Sequence, residues 1–138
     1  LSRLVDRRLA ENFGRYGIEN WMYDVLATLR RSGEPYELTA GELVRQTMVT
    51  TGAVTNRIDR LEERGLVERT RTRDRRKVVV RLSAPGLDLV DEVVHAHLAT
   101  EREILAALSP RQQHELARLL RTALLSLGDR AADRDVQS

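Results

Sequence analysis

The chain has no cysteine among its 138 residues. That removes disulfides, thiolate metal ligands, a cysteine nucleophile and thiol-based redox sensing together. Aromatic residues are scarce, at 4% against a hydrophobic total of 41%. The core must then be built from Leu, Val, Ile and Ala, which suits packed helices. No run approaches the ~18 consecutive apolar residues of a membrane span, and no basic-then-apolar leader opens the chain. The expectation is a soluble, cytoplasmic protein with no membrane role. Neither a nucleophile elbow, a phosphate-cradling glycine loop nor an HExxH motif is present, so neither an enzyme nor a cofactor is expected. The histidines are His95, His97 and His114. His95 and His97 lie two apart and point away from each other on a helix, which gives a zinc site no support.

Charge is plentiful but nearly balanced: 32% of residues are charged and the net charge is +2. Its placement is uneven. Between Thr50 and Leu82 ten Arg or Lys stand against five acids, which leaves the remainder of the chain slightly acidic. A basic stripe on an otherwise neutral or acidic protein is the footprint of a phosphate-binding surface.

Hydrophobic spacing supplies the elements. Leu1, Leu4, Val5, Leu9 and Phe13 recur at helical steps until Gly14 and Gly17, and a second helix fits from Glu19 to Arg31 with Trp21, Val25, Leu26 and Leu29 inward. Thr39 followed by Glu42 has the form of a capping box for a short third helix carrying Leu43 and Val44. Thr50 can cap a fourth helix that runs to Arg64 and stops at Gly65, with Val54, Ile58 and Leu61 as its buried stripe. Two strand-like runs, Leu66 to Thr70 and Lys77 to Leu82, flank a basic link and read as a hairpin. A long helix starts at Ser83-Ala84-Pro85 and runs to Leu108. Ser109-Pro110 opens a last one with Leu116, Leu119, Leu120, Ala123, Leu124 and Leu127 apolar. No linker or repeat appears, and the tail from Asp129 to Ser138 reads as frayed.

Helix, turn, helix and hairpin in that order solve two geometric problems of duplex recognition. A helix fits the ~12 Å major groove, where each base pair shows a distinct donor and acceptor pattern. An arginine-tipped hairpin reaches the adjacent minor groove, where negative potential concentrates. Thr50 and Thr51 at the helix N-terminus would hold a phosphate, Gly52 and Ala53 would let the backbone approach, and Thr55, Asn56 and Arg57 would reach base edges, with Arg60 a further DNA-binding residue on the same face. Arg73, Asp74, Arg75 and Arg76 form the hairpin tip. A winged helix used for protein contacts would carry an apolar patch where Thr51, Thr55 and Asn56 stand.

The stretches Leu38-Thr39-Ala40-Gly41-Glu42-Leu43, then Val54-Thr55-Asn56-Arg57-Ile58-Asp59-Arg60-Leu61-Glu62-Glu63-Arg64-Gly65-Leu66-Val67-Glu68-Arg69, then Asp74-Arg75-Arg76 with Val79-Val80-Arg81-Leu82-Ser83 and Gly86, resemble the MarR family of winged-helix regulators. The resemblance covers nearly the whole chain. It implies a mainly α (α+β) fold: a winged helix-turn-helix lobe over residues 36–82, with helical dimerisation regions at 1–17 and 84–128 in a single domain. It also implies a homodimer on double-stranded DNA, with Arg76 in the minor groove and Asp74 bracing the wing. Along Ala96-His97-Leu98-Ala99-Thr100 and Leu105 to Pro110 the chain is most similar to the urate-responsive HucR/PecS-like subgroup. That similarity implies a site for a small anionic aromatic effector, urate-like or phenolic, at Asp24, Arg57 and Arg69. A tryptophan on an additional N-terminal helix belongs to that site too, and Trp21 is not its counterpart. A metal-responsive or ligand-independent regulator of the same type is the alternative reading.

Overall fold

Helix α1 (Ser2–Arg15) buries only its C-terminal end, through Asn12 and Phe13. The chain turns at Gly17, whose φ of 67° lies in the left-handed region, before α2 (Asn20–Arg31). Glu19, expected inside that helix, is its N-cap. The computed structural model describes residues 1–73 and 76–128. The remaining elements are β1 (Glu37–Thr39), α3 (Ala40–Thr47), α4 (Thr51–Glu63), β2 (Val67–Arg71), β3 (Val78–Leu82), α5 (Ala84–Leu105) and α6 (Pro110–Ser126). The mainly helical winged fold expected from the sequence is the one observed.

Local chemistry explains most boundaries. The Thr39 hydroxyl accepts from the Glu42 N–H while the Glu42 carboxylate accepts from the Thr39 N–H at 2.7 Å, closing the capping box of α3. Thr50 accepts from the Ala53 N–H at 3.2 Å and starts α4, which ends before Gly65 at φ 69°. Ser109 and Gln112 form a second reciprocal pair at the start of α6. Three expectations need adjusting. The long helix stops at Leu105 rather than Leu108, the two strands are shifted to Val67–Arg71 and Val78–Leu82, and β1 was not anticipated at all. β1 is three half-buried residues that exist as a strand because they pair with β3, Leu38 opposite Val80, giving an antiparallel sheet ordered β1-β3-β2.

The chain divides into two compact units, Leu1–Thr100 and Glu101–Ser138. In the first, Phe13, Ile18, Met22, Val25, Leu26, Leu29, Leu43, Val54, Ile58, Leu61, Val67, Val80, Val90 and Val93 form one buried cluster. α4 contributes Val54, Ile58 and Leu61, each at most 2% exposed. Rotating that helix would expose all three, at roughly 1.5–3 kcal/mol per side chain, so its opposite face is held outward. In the second unit, α6 buries none of its residues, and Leu119, Leu120, Leu124 and Leu125 are all exposed.

The start of α5 is locked to the end of α4. The buried Ser83 hydroxyl donates to the Gly65 carbonyl at 2.6 Å and accepts from the Gly86 N–H at 3.0 Å. Gly86 lies so close to β2's entry that a Cβ there would sit 1.9 Å from the Leu66 carbonyl oxygen. Gly86→Ala should therefore cost at least about 2 kcal/mol of stability, whereas Gly52→Ala, with nothing within 4 Å, should be neutral or stabilising by up to about 1 kcal/mol. Urea midpoints of the two variants check both expectations.

Candidate nucleic-acid interface

The outward face of α4 is polar because its inward face is consumed by the core. Thr51, Gly52, Thr55, Asn56 and Arg60 are exposed, and Ala53, Arg57 and Asp59 are half-buried. Thr50 uses its hydroxyl as the cap acceptor for Ala53. The Thr55 hydroxyl donates back to the Thr51 carbonyl at 3.0 Å, which leaves its lone pairs available as acceptors. Asn56 makes no hydrogen bond to the described residues, so donor and acceptor are both open to a partner. The first turn of α4 presents N–H groups in the manner that suits an anion.

Beside this helix runs the hairpin of β2 and β3, in register from Val67 opposite Leu82 to Arg71 opposite Val78. Thr72 secures its far end, its N–H and hydroxyl both donating to the Lys77 carbonyl at 3.3 Å. Arg73 and Arg76 are exposed there. Asp74 and Arg75, expected at the tip, lie outside the described residues.

Two cations that sequence reasoning left out of the site belong to the same surface. Arg45 on α3 and Lys77 at the foot of β3 join Arg76, Glu42, Thr39 and Gly41 around a groove of about 480 Å³. The Glu42 carboxyl is held below its usual range, chiefly by the Thr39 N–H, then by the Thr39 hydroxyl, with smaller help from Arg45 and Lys77. Lys77 belongs to the basic stripe between Thr50 and Leu82. Arg45 had no local signal, since only the packing of α3 against the sheet brings it to the hairpin.

Of the three residues expected at an effector site, Asp24 and Arg57 interact electrostatically, and Arg69 is bonded to carboxylates of α4. Asp24 lies on α2 with its carboxyl raised above the usual aspartate range, first by partial burial, while Arg57, Arg31 and His97 pull it back down. Asp24 and Arg57 are thus brought within electrostatic reach of each other. The guanidinium of Arg69 on β2 bonds to Asp59 and, at 2.9 Å, to Glu62, both on α4. These carboxylates, Asp59 foremost, hold the Arg69 guanidinium in its protonated form. Its Nε–H is buried without an acceptor among the described residues. Trp21, expected to point inward, is half-buried instead, with Arg57 and Arg60 over its ring at 5.8 and 5.0 Å from the centroid.

A capped polar helix turned outward by its own core, set beside an arginine-bearing hairpin on a three-stranded sheet, defines a winged helix-turn-helix DNA-binding protein. A family model described as the MarR family matches residues 16–77. Over 121 residues the chain is 37% identical to the HTH-type transcriptional regulator PecS of Dickeya dadantii, covering 87% of this chain and 73% of PecS. It is similar in structure to AbsC, a MarR family transcriptional regulator from Streptomyces coelicolor, with a TM-score of 0.81 and 26% identity over 91% of this chain and 86% of that one. A mutant of Escherichia coli MarR complexed with operator DNA gives a TM-score of 0.80 and 27% identity over 89% of this chain and 87% of that one. The chain belongs to the MarR family, and it is a DNA-binding transcription regulator of the PecS-like kind rather than an enzyme. Among the described residues no helix is long and apolar enough to cross a membrane.

The raised pKa of Asp24 fixes the sign of a pH effect. The folded chain holds that proton more tightly than the unfolded chain, so the associated stability is present below the ordinary aspartate range and is lost as pH rises through the raised value. Asp24→Asn should accordingly raise the thermal midpoint at pH 7, and the gain should shrink as pH falls into the carboxylate range. A variant less stable than the native chain at pH 7 would mean that attraction to Arg57 outweighs burial.

Proposed function

We propose that this regulator binds a pseudo-palindromic operator as a homodimer, represses transcription there, and is released by a small anionic aromatic ligand. The observation that carries this reading is the location of Arg57. It stands on the outward-facing DNA-reading helix, yet it lies within the field of the Asp24 carboxylate on α2. An anion bound near Asp24 and duplex DNA would compete for the same guanidinium. Ligand binding then shifts the population toward a form that fits the operator poorly. The buried, unmet Nε–H of Arg69 adds a donor that an anionic oxygen would satisfy.

A second copy of the chain is supported by the apolar residues left outside any core. Leu119 and Leu120 of α6 are 52% and 54% exposed, and Leu4 of α1 is 62% exposed. Exposed leucines of this kind are costly in water and favour association. Dimerisation would bury them and set two reading helices about one turn, ~34 to 36 Å, apart on the duplex.

Three measurements test the reading. Sedimentation should give twice the chain mass of 15.7 kDa. A duplex enriched from a random pool should carry inverted half-sites, and a monomer selecting no symmetric site would overturn the dimer. With urate titrated into the complex, Asp24→Asn should bind DNA as well as the native chain but resist release. Unchanged release removes Asp24 from the effector site. The groove beside α3 makes a separate prediction. Arg45→Gln and Lys77→Gln should each weaken binding equally for all sequences and lower the slope of log affinity against log salt by about 1. Asn56→Ala should instead relax the choice of base at one position, at about 1–3 kcal/mol.

A further inference from the structure

Trp21 is the only tryptophan in the chain, and the inward core position expected from its spacing does not account for its half-exposed ring. It sits in the first turn of α2, partly packed on the hydrophobic core. Its indole N–H donates to the Glu19 carboxylate at 2.5 Å, which fixes the ring by its edge. The ring face is what α4 meets. The Arg60 guanidinium carbon lies 5.0 Å from the ring centroid and that of Arg57 5.8 Å, both within the range at which a cation is attracted to an indole face. Arg57 and Arg60 are three apart on one helix and hence on one side of it.

Arg57 also feels the Asp24 carboxylate on α2, though without direct contact. Neither Arg57 nor Arg60 makes a hydrogen bond or an ion pair with the described residues, although Asp59, Glu62 and Glu63 share their helix. Asp59 and Glu62 are instead taken by Arg69. That arrangement matters because a guanidinium attracts a ring through its flat face and donates hydrogen bonds in its plane. A guanidinium held against an indole therefore keeps its five N–H donors for a partner while losing the freedom of its long stem.

We propose that Trp21 is the positioning residue of the reading helix: its indole holds Arg57 and Arg60 in the orientation from which they donate to duplex DNA. The proposal rests on α4 being the helix that reads DNA. Without the ring, both side chains would have to be ordered at the moment of binding, and affinity would fall by the corresponding entropy. Glu19 and Trp21 thus act on DNA at one remove, through a neighbouring helix. The Asp59 and Glu62 carboxylates assist by being committed to Arg69, which keeps them from drawing the reading arginines back onto α4.

The test is a double-mutant cycle on a labelled duplex carrying the site enriched from a random pool. Trp21→Leu should weaken binding about tenfold, the loss of two cation–ring contacts at exposed sites. Trp21→Phe, which keeps a ring, should restore most of it. In a chain already carrying Arg57→Gln and Arg60→Gln, Trp21→Leu should cause no further loss, because the ring then has nothing to hold. An equal loss in that background, or Leu binding as well as Phe, would overturn the proposal. If Trp21→Leu fails to fold, the native chain still decides: removing the two arginines should shift the emission of the single tryptophan in the absence of DNA, and an unchanged spectrum would overturn the contact. Failure of the underlying reading looks different, for then Asn56→Ala would leave duplex binding unaltered as well.

Discussion

Val54, Ile58 and Leu61 occupy one face of α4 and are buried to within 2% of complete. Burial of that stripe sets the rotation of the helix about its axis, and the rotation sets everything that follows. Thr51, Thr55, Asn56 and Arg60 face solvent because the other side of the helix cannot. The close approach of Gly86 to Leu66 and the two hydrogen bonds of Ser83 then fix where α4 ends relative to the hairpin and α5. The turn into α4 passes through Met48 in the left-handed region at φ 55°, but the reading surface itself is regular helix. It is the remainder left when a short helix gives its aliphatic residues to the core.

Electrostatics divides the arginines of this surface by what holds them. Arg69 is spent on Asp59 and Glu62 and ties β2 to α4. Arg64 closes the end of α4, its guanidinium donating to the Gly17 carbonyl at 2.8 Å and tying the helix to the turn before α2. Arg57 and Arg60 lie over a ring face with no carboxylate in direct contact among the described residues, and Arg45 lines the groove beside the hairpin. Exposed ion pairs contribute little stability, roughly 0–1 kcal/mol each, so the purpose of these pairs is better sought in geometry than in the strength of the fold. An arginine committed to a carboxylate is a strut, and one without such a commitment remains able to bind phosphate or a base.

Much of this was legible beforehand. The caps at Thr39, Thr50 and Ser109 are local, since acceptor and donor stand three residues apart, and the 3.6-residue repeat of Val54, Ile58 and Leu61 is local as well. The basic hairpin announced itself by composition. β1 did not, because three residues of mixed polarity carry no alternation to detect, and their strand character comes from a partner such as Arg81, which bonds to Glu37 across 44 positions. Leu105 as the end of α5 was missed because the apolar spacing runs on beyond it. The commitment of Arg69 to α4 carboxylates was invisible for a different reason: a charged residue has many possible partners, and proximity in space selects among them.

Helix positions, their starts and the polar character of the α4 face follow from interactions spanning a turn or two, and a linear chain displays those openly. The stacking of Arg57 and Arg60 on Trp21, the convergence of Arg45 with Lys77, and the pairing that makes β1 a strand depend on segments that meet only after the core has closed. Such contacts are weak singly and numerous in alternatives. Packing of the aliphatic cluster, which is strong and nearly unique, chooses among them.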